Sequence, residues 1–509
     1  MDTISLDGEH LTLAHLDQVA RGEARVALDP RARARMAGCR AVLESMLARG
    51  EPIYGVNTGF GLLSEVRVDA GDLTRLQENL VRSHAAGVGE PFAAPVARAI
   101  TLLRANVLAR GHSAVRPEVV DALLGLLNAG LAPYIPSRGS VGASGDLAPL
   151  AHLALAAMGE GEMLADGRRI GASGALEAAG LKPLRLASRE GLALLNGTQA
   201  MTASGALTLL MAERLMTQAD IAGALTIDTL LGSARPFDER LAALRPHPGH
   251  ADSAANVRAL LEGSGLLASH AGCGKVQDSY SLRCIPQVHG SARDALSHSR
   301  RVLEIEVNAV TDNPILFPES GEAVPGGNFH GQPVALVMDL VAIALADVAS
   351  ISERRTDRLV NPAMSGLPAF LARRPGLESG FMMAQVTAAA LASEMKGLAH
   401  PASVDSIPTG AGKEDHVSMG VTSALKAQRS VEMLAPVLAI ELLCGAQALE
   451  HRRPLRSTAA LEAVHAAVRE KVAALNGDRV LSPDIEAVAA MLNGGLIRQA
   501  AERAAGPLR

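Results

Sequence analysis

The chain has 509 residues, 48% of them hydrophobic and 20% charged, and a net charge of −5 from 48 basic and 53 acidic side chains. That composition supplies a large core and excludes general disorder, and the interspersed charges leave no basic block for a nucleic acid or a membrane surface. With no Trp, three Tyr and seven Phe, the core is filled by Ala, Leu and Val, which points to close-packed helices rather than a sandwich or barrel.

Along the chain, the first Gly/polar loop is Tyr54–Gly61. Asp72 then stands where it can cap a helix whose Leu73, Leu76 and Leu80 share a face, a face that His84 extends. Further Gly- and Pro-rich loops follow at Pro133–Pro149, Gln277–Pro286, Val324–Pro333 and Ser406–Met419. The run after Pro333 is apolar almost all round, as in a helix buried inside a bundle, and its Asp339 and Asp347 argue against a transmembrane span. In 457–477, Leu461, Val464, Val468, Val472 and Leu475 recur at helical spacing, with Ser457 as the expected N-cap and Gly477 as the stop. The four cysteines (Cys39, Cys273, Cys284 and Cys444) include no C-x-x-C pair. Neither disulfides nor a zinc site is therefore expected. The first residues lack a basic segment followed by an apolar run, so a cytoplasmic location is expected. The expectation is a mainly α protein, with an N-terminal region over 1–204 and a long-helix bundle over 205–509.

Polar groups gather in the loops, where binding and catalytic residues concentrate. The loop from Gly139 to Leu150 is Gly-rich but lacks the Lys of a phosphate-binding loop. Within Ala143-Ser144-Gly145 a different chemistry is open. The unhindered Gly145 nitrogen can attack the Ala143 carbonyl, one water leaves on ring closure, and Ser144 can lose a second water to become a methylidene electrophile. The triplet alone does not decide this, because Ala-Ser-Gly recurs at 172–174 and 203–205. Two of the three tyrosines, Tyr54 and Tyr280, lie in Gly/polar loops. A phenol of pKa about 10 serves as a base only beside positive potential or hydrogen-bond donors. Arg283 follows Tyr280 by three residues, on the same face if a helix starts there, and a guanidinium suits a carboxylate. From the residues alone, His84 reads as a buried, hydrogen-bonded core residue sooner than a functional one, and Glu414 as a solvated loop carboxylate.

The twelve residues around Ser144 resemble the signature of the aromatic amino acid ammonia-lyases, in which this triplet becomes the methylidene-imidazolone (MIO) prosthetic group. Val56–Gly61, Leu195–Gln199, Gln277–Arg283, Gly327–His330 and Glu414–Met419 resemble further blocks of that family in the same order. The resemblance runs from about residue 50 to 420. It implies a fumarase/aspartase-like helical architecture, a homotetramer with shared active sites, and MIO formed autocatalytically from Ala143, Ser144 and Gly145, with no diffusible cofactor and no metal. It makes Tyr54 the base for the substrate β-proton and Tyr280 a supporting residue. It assigns Arg283 to the substrate carboxylate, and it places Asn196, Gln277 (from a neighbouring subunit) and Phe329 around the prosthetic group.

Ser83-His84 is similar to histidine-specific members, whereas tyrosine-specific ones carry His-Leu and phenylalanine-specific ones Phe-Leu. The implied reaction is L-histidine to trans-urocanate and ammonia, with His84 and Glu414 facing the imidazole. A tyrosine or phenylalanine lyase, or an aromatic 2,3-aminomutase, is the alternative. Gly410–Lys413, Met395 and Ser279 depart from the usual histidine-lyase pattern. The G-S-S-x-M-P-x-K-x-N loop of fumarase-type lyases is absent. A non-catalytic helical scaffold would not need Ser144, Tyr54 and Arg283 together.

Overall fold

The computed structural model describes residues 2–63, 65–165 and 167–509. The protein is mainly α-helical, and its few strands form small sheets of two or three strands. Four helices dominate: Gln199–Thr229, Ile285–Glu306, Gln332–Val360 and Gly420–Arg452. The chain divides into two compact units. The first takes residues up to Leu207 with Arg300–Asp339 and Pro401–Leu425, and the second takes Thr208–Ser299, Leu340–His400 and Lys426–Arg509. A division at 204/205 is continuous in sequence, whereas these units are not. Four of their five boundaries fall inside the four long helices, one in each, which apolar periodicity along the chain cannot register; the fifth, at 400/401, lies just after the helix Met382–Leu398.

In the first unit, the helix Ala94–Ala109 is buried at every position from Ala99 to Ala109. Its polar residues are tied down inside the unit. Thr101 Oγ1 donates to the Ala97 carbonyl at 2.8 Å, and Asn106 Nδ2 donates to the Val307 carbonyl at 2.8 Å. Such bonds are what burial of a polar group requires. The helix Leu73–His84 starts after Asp72, but the Asp72 carboxylate makes no capping bond. Asp339, inside the apolar run, is buried and accepts the backbone N–H groups of Ala402 and Ser403 at 2.8 and 2.7 Å, while Asp347 is exposed. Among the described residues, Gln332–Val360 and Gly420–Arg452 are long and apolar enough to cross a membrane, yet their most apolar stretches are 61% and 83% buried in the protein.

The second unit contains a buried polar spine. Asp220 accepts from Ser253 and His289 on one oxygen, both at 2.7 Å, and from Asn256 and Arg293 on the other, at 2.9 and 2.6 Å. Glu441 accepts two N–H groups of Arg355 at 2.6 and 2.9 Å, with Thr226 at 2.8 Å and Ser352 at 2.6 Å on its remaining lone pairs. Because His289 Nδ1 donates to Asp220, its Nε2 is the acceptor that faces Arg355 at 3.5 Å. Burial lowers the His289 pKa and so favours this neutral ring.

Two expectations near the C-terminus need correction. The helix is Ala459–Lys471, capped by Thr458, whose hydroxyl accepts from the Leu461 N–H at 3.2 Å; Ser457 donates to Asp228 instead. It ends six residues before Gly477. Val472 is already extended, and Gln447 takes both backbone groups of Leu475, at 3.0 and 3.2 Å. The apolar face nevertheless runs on through Val472 and Leu475, both buried.

Removing Arg355 leaves Glu441 buried and unpaired, an error that costs about 3–5 kcal/mol. Arg355→Met should therefore lower the thermal midpoint by several degrees, read by circular dichroism on the full chain. An unchanged midpoint would show that the spine carries no such strain.

Candidate active site

The helix Leu73–His84 turns Leu76, Asn79, Leu80, Ser83 and His84 toward a cavity of about 620 Å³ in the first unit. Leu147, Leu192 and Leu195 add apolar wall, and Tyr54, Ser144, Asn196, Asn313 and Glu414 supply polar groups. A mostly apolar hollow with a few convergent polar groups is the usual form of a small-molecule site.

Ser144 sits in a loop staked on both sides. Before it, the Gly142 N–H donates to Ser140 Oγ at 3.2 Å, and the Met419 N–H to the Val141 carbonyl at 2.9 Å. After it, the Asp146 N–H donates to the Gly197 carbonyl at 2.7 Å, and the Gly197 N–H to the Ser144 carbonyl at 3.3 Å. Gly145 and Gly197 thus pair as a parallel bridge. A Cβ on Gly145 would stand 2.2 Å from the Gly197 oxygen, and one on Gly197 would stand 2.6 Å from the Thr311 oxygen, so neither position admits a side chain. Asp146 anchors the loop from below, accepting from Ser140 Oγ at 3.0 Å and the Met201 N–H at 2.8 Å. Burial pushes its carboxyl up to about 7.

Between these stakes, the Ala143 carbonyl and the Gly145 N–H have no hydrogen-bond partner among the described residues, although both residues are buried. Buried backbone groups are nearly always paired. The two left over here are the acceptor carbon's carbonyl and the attacking nitrogen of the ring closure, so the residues fit a group built from Ala143, Ser144 and Gly145. The Ser144 hydroxyl, which would be lost as water, faces the cavity and donates to Glu414 Oε1 at 3.3 Å. The triplets at 172–174 and 203–205 lie within or at the start of helices, where such closure has no room.

Around that centre, Tyr54 Oη accepts the Gly61 N–H at 3.2 Å, which leaves its own O–H free to donate. His84 Nδ1 lies 2.9 Å from the Leu80 carbonyl and 3.1 Å from Ser83 Oγ. A carbonyl only accepts, so Nδ1 carries the proton and Nε2 is an acceptor. Glu414 Oε2 accepts from Thr409 Oγ1 at 2.7 Å. Asn196 donates through Nδ2 to Asp312 at 3.4 Å and to the Asn313 carbonyl at 3.1 Å. Asp312 is ion-paired with the buried Arg189 at 2.8 Å, and Arg189 also holds the Asn313 and Pro314 carbonyls.

The cavity thus brings together Tyr54, Ser144, His84, Asn196 and Glu414, with Ala143 and Gly145 beneath. Gln277, Tyr280, Arg283 and Phe329 are not among its lining residues. Tyr280 and Arg283 do share a short helical turn, Tyr280–Arg283, with the guanidinium 4.7 Å from the ring centre. Tyr280 is 71% exposed, Gln277 is exposed and Phe329 half-buried. Of the departures from the usual pattern, Gly410 and Ala411 line the cavity, whereas Lys413 is exposed and Met395 is buried in the second unit. Sequence reading missed Asn313, Arg189 and Asp312. The one available signal was an Asp-Asn-Pro turn beside an otherwise unexplained buried Arg.

The family model for aromatic amino acid lyases matches residues 11–470. The histidine ammonia-lyase of Anaeromyxobacter sp. (strain K) is 58% identical over 504 residues, covering 97% of this chain and 99% of its own. Among solved structures, a tyrosine aminomutase from Streptomyces globisporus has a TM-score of 0.94 and 42% identity, covering 100% of both chains. The histidine ammonia-lyase from Trypanosoma cruzi has a TM-score of 0.91 and 41% identity, covering 99% of this chain and 95% of its own. Similarity of this extent, centred on a chain whose cavity floor is the Ala143-Ser144-Gly145 loop, has one reading: the chain belongs to the aromatic amino acid lyase family.

Proposed function

We propose that this chain is a carbon–nitrogen lyase that converts L-histidine to trans-urocanate and ammonia in the cytosol. It would use MIO made autocatalytically from Ala143, Ser144 and Gly145, without a diffusible cofactor or a metal. The observation that carries this reading is the meeting, in one cavity, of the Ser144 loop with two hydrogen-bond acceptors, His84 Nε2 and the Glu414 carboxylate. The 58% identity to a protein named histidine ammonia-lyase supports the substrate.

MIO supplies a methylidene carbon that draws an amine and turns it into a better leaving group. The residues do the rest. In the net reaction a Cα–N bond and a Cβ–H bond break and a carbon–carbon double bond forms, so no oxidant is needed. Tyr54 acts after giving up its own proton: its phenolate oxygen takes the β-proton, and the Gly61 N–H donates to that oxygen before and after the transfer. His84 Nε2 and the Glu414 carboxylate are the acceptors that face the imidazole N–H of the substrate. Leu76, Leu80, Leu192 and Leu195 cover the remaining ring surface and exclude water. Asn196 and Phe329 flank the prosthetic group.

The same reading makes the protein a homotetramer with shared sites. Gln277, Tyr280 and Arg283 come from another copy, Arg283 holding the substrate carboxylate so that proton and leaving group are aligned. The exposure of Tyr280 at 71% and of Val276 at 94% supports an uncovered surface in the single chain. A second reading, an aminomutase that returns ammonia to the β-carbon, has the tyrosine aminomutase likeness in its favour. Product analysis with histidine, tyrosine and phenylalanine offered separately distinguishes the two.

Intact-protein mass should fall short of the sequence mass by two waters, and the loss should map to the peptide holding Ala143–Gly145. Ser144→Ala should restore at least one of them and abolish activity, and an unmodified mass in active protein would overturn the mechanism. Tyr54→Phe should keep the mass deficit and lower turnover by about 10²–10⁴-fold, measured as urocanate formation; full activity would move the base elsewhere, Tyr280 first. A site built to bond a polar ring rejects an apolar one strongly. His84→Leu should therefore lose most histidine turnover, with any gain in kcat/KM directed toward phenylalanine, and retained histidine activity would return His84 to a structural role.

A further inference from the structure

One buried cation lies directly behind the Ser144 loop. Arg104, on the helix Ala94–Ala109, is 0% exposed. Its Nη1 donates to the Asn196 carbonyl at 2.6 Å and to Gln199 Oε1 at 2.9 Å. Gln199 is itself held, donating to Thr311 Oγ1 at 2.7 Å. The Asn196–Gly197 peptide that accepts the guanidinium on its oxygen side is the one whose N–H meets the Ser144 carbonyl at 3.3 Å. A continuous relay therefore runs from the guanidinium, through one amide, to Ser144.

A positive charge on an amide oxygen draws density from the amide nitrogen and makes its N–H a stronger donor. Hydrogen-bonded chains polarise one another in this way, most strongly where no water screens them. Burial lowers Arg104 to about 10, which leaves it charged near neutral pH. The nearest carboxylate, Asp312, is already paired with Arg189, so two guanidiniums share one counter-ion in this wall. Of the other acids around the loop, Asp146 and Glu306 are pushed toward their neutral forms by burial, while Glu414 meets the Ser144 hydroxyl rather than its carbonyl, at 3.3 Å. The donor at the Ser144 carbonyl is therefore the peptide that carries a guanidinium on its oxygen side.

We propose that Arg104 is a positioning residue for the electrophile. Through the Asn196–Gly197 peptide it strengthens the one N–H that meets the Ser144 carbonyl oxygen, where negative charge gathers as a nucleophile adds. The inference rests on the MIO reading above. Ring closure keeps the Ser144 carbonyl and conjugates it with the methylidene. When a nucleophile's lone pair forms the new bond to the methylidene carbon, the alkene pair moves toward that carbonyl, and nothing is oxidised or reduced. A donor already aimed at the oxygen lowers the cost of this charge. Neither Arg104 nor its bond partner Gln199 lines the cavity, so the effect reaches the reacting atoms only through the peptide.

The test uses the full-length protein with Arg104→Gln and Arg104→Lys, and reads mass, near-ultraviolet absorbance and the rate of cyanide addition. No turnover is needed. Arg104→Gln keeps a donor without the charge. In molecules carrying the two-water deficit, cyanide should add about tenfold more slowly than in wild type, and the absorbance band should move to shorter wavelength. A wild-type rate and band in that variant overturns the proposal and leaves the MIO reading standing. A wild-type protein without the deficit overturns both. Arg104→Lys keeps the proposal falsifiable if Arg104→Gln does not fold. A buried ammonium loses its proton well below its usual value, so between about pH 6 and pH 8 its band should reach the shorter wavelength, while the wild-type band stays fixed there because its guanidinium is lowered only to about 10. A band held at the wild-type position throughout overturns the assignment of the charge to Arg104.

Discussion

The first unit is organised around a contact between two pieces of bare backbone. A methyl group on Gly145 would strike the Gly197 carbonyl oxygen at 2.2 Å, and one on Gly197 would strike the Thr311 carbonyl oxygen on its other side at 2.6 Å. This contact fixes the Ser144 carbonyl against the Gly197 N–H, and the Asp146 N–H against the Gly197 oxygen. It also determines which backbone groups go unpaired. With the Ser144 carbonyl and the Asp146 N–H both tied to residue 197, the Gly145 N–H is left without a hydrogen-bond partner among the described residues. The unpaired state of a buried N–H and a buried carbonyl is normally a cost. In the function proposed above, it is the condition that lets a backbone nitrogen act as a nucleophile.

The surrounding charges follow from the same contact. The Asn196–Gly197 peptide must be held from behind, and Arg104 does so from a helix buried at every position from Ala99 to Ala109. Arg189 holds the opposite side through Asp312 and the Asn313 and Pro314 carbonyls. Burying guanidiniums is expensive unless their donors are used. Their clustering behind one loop, with a single carboxylate between them, contrasts with the second unit. There Asp220 and Glu441 each meet a cation, and every lone pair is engaged.

Much of this was legible from local pattern. Helical filling by Ala and Leu, the loop around Ser144, the glycine-flanked Tyr54 and the face carrying Leu76, Leu80 and His84 all depend on residues near one another in sequence. The errors have tertiary causes. Gly477 does not stop a helix, because Gln447 captures the Leu475 backbone first. Ser457 does not cap, because buried Asp228 claims its hydroxyl. Arg104 was invisible because an Arg in an apolar helix reads as a surface residue until its burial is known. Gln277, Tyr280, Arg283 and Phe329 could be named from a family resemblance, but the cavity of one chain does not include them.

The loop 410–413 shows how residues unlike the common pattern can serve the same geometry. Gly410, Ala411 and Gly412 all have positive φ, at 55°, 54° and 83°, a conformation that glycine adopts without cost and Ala only with some. The turn they make pairs Thr409 with Glu414 in both directions, at 2.9 and 3.3 Å, and so returns the chain to deliver the Glu414 carboxylate to the cavity. Lys413 is exposed and takes no part in the lining. What the loop must supply is a reversal of direction and one carboxylate, and two glycines supply the reversal as well as a polar tetrapeptide would. In the function proposed above, discrimination among substrate rings falls to groups whose donor and acceptor character is fixed. His84 is the clearest of these, since its Nδ1 proton is committed to the Leu80 carbonyl and only an acceptor is left to face the ring.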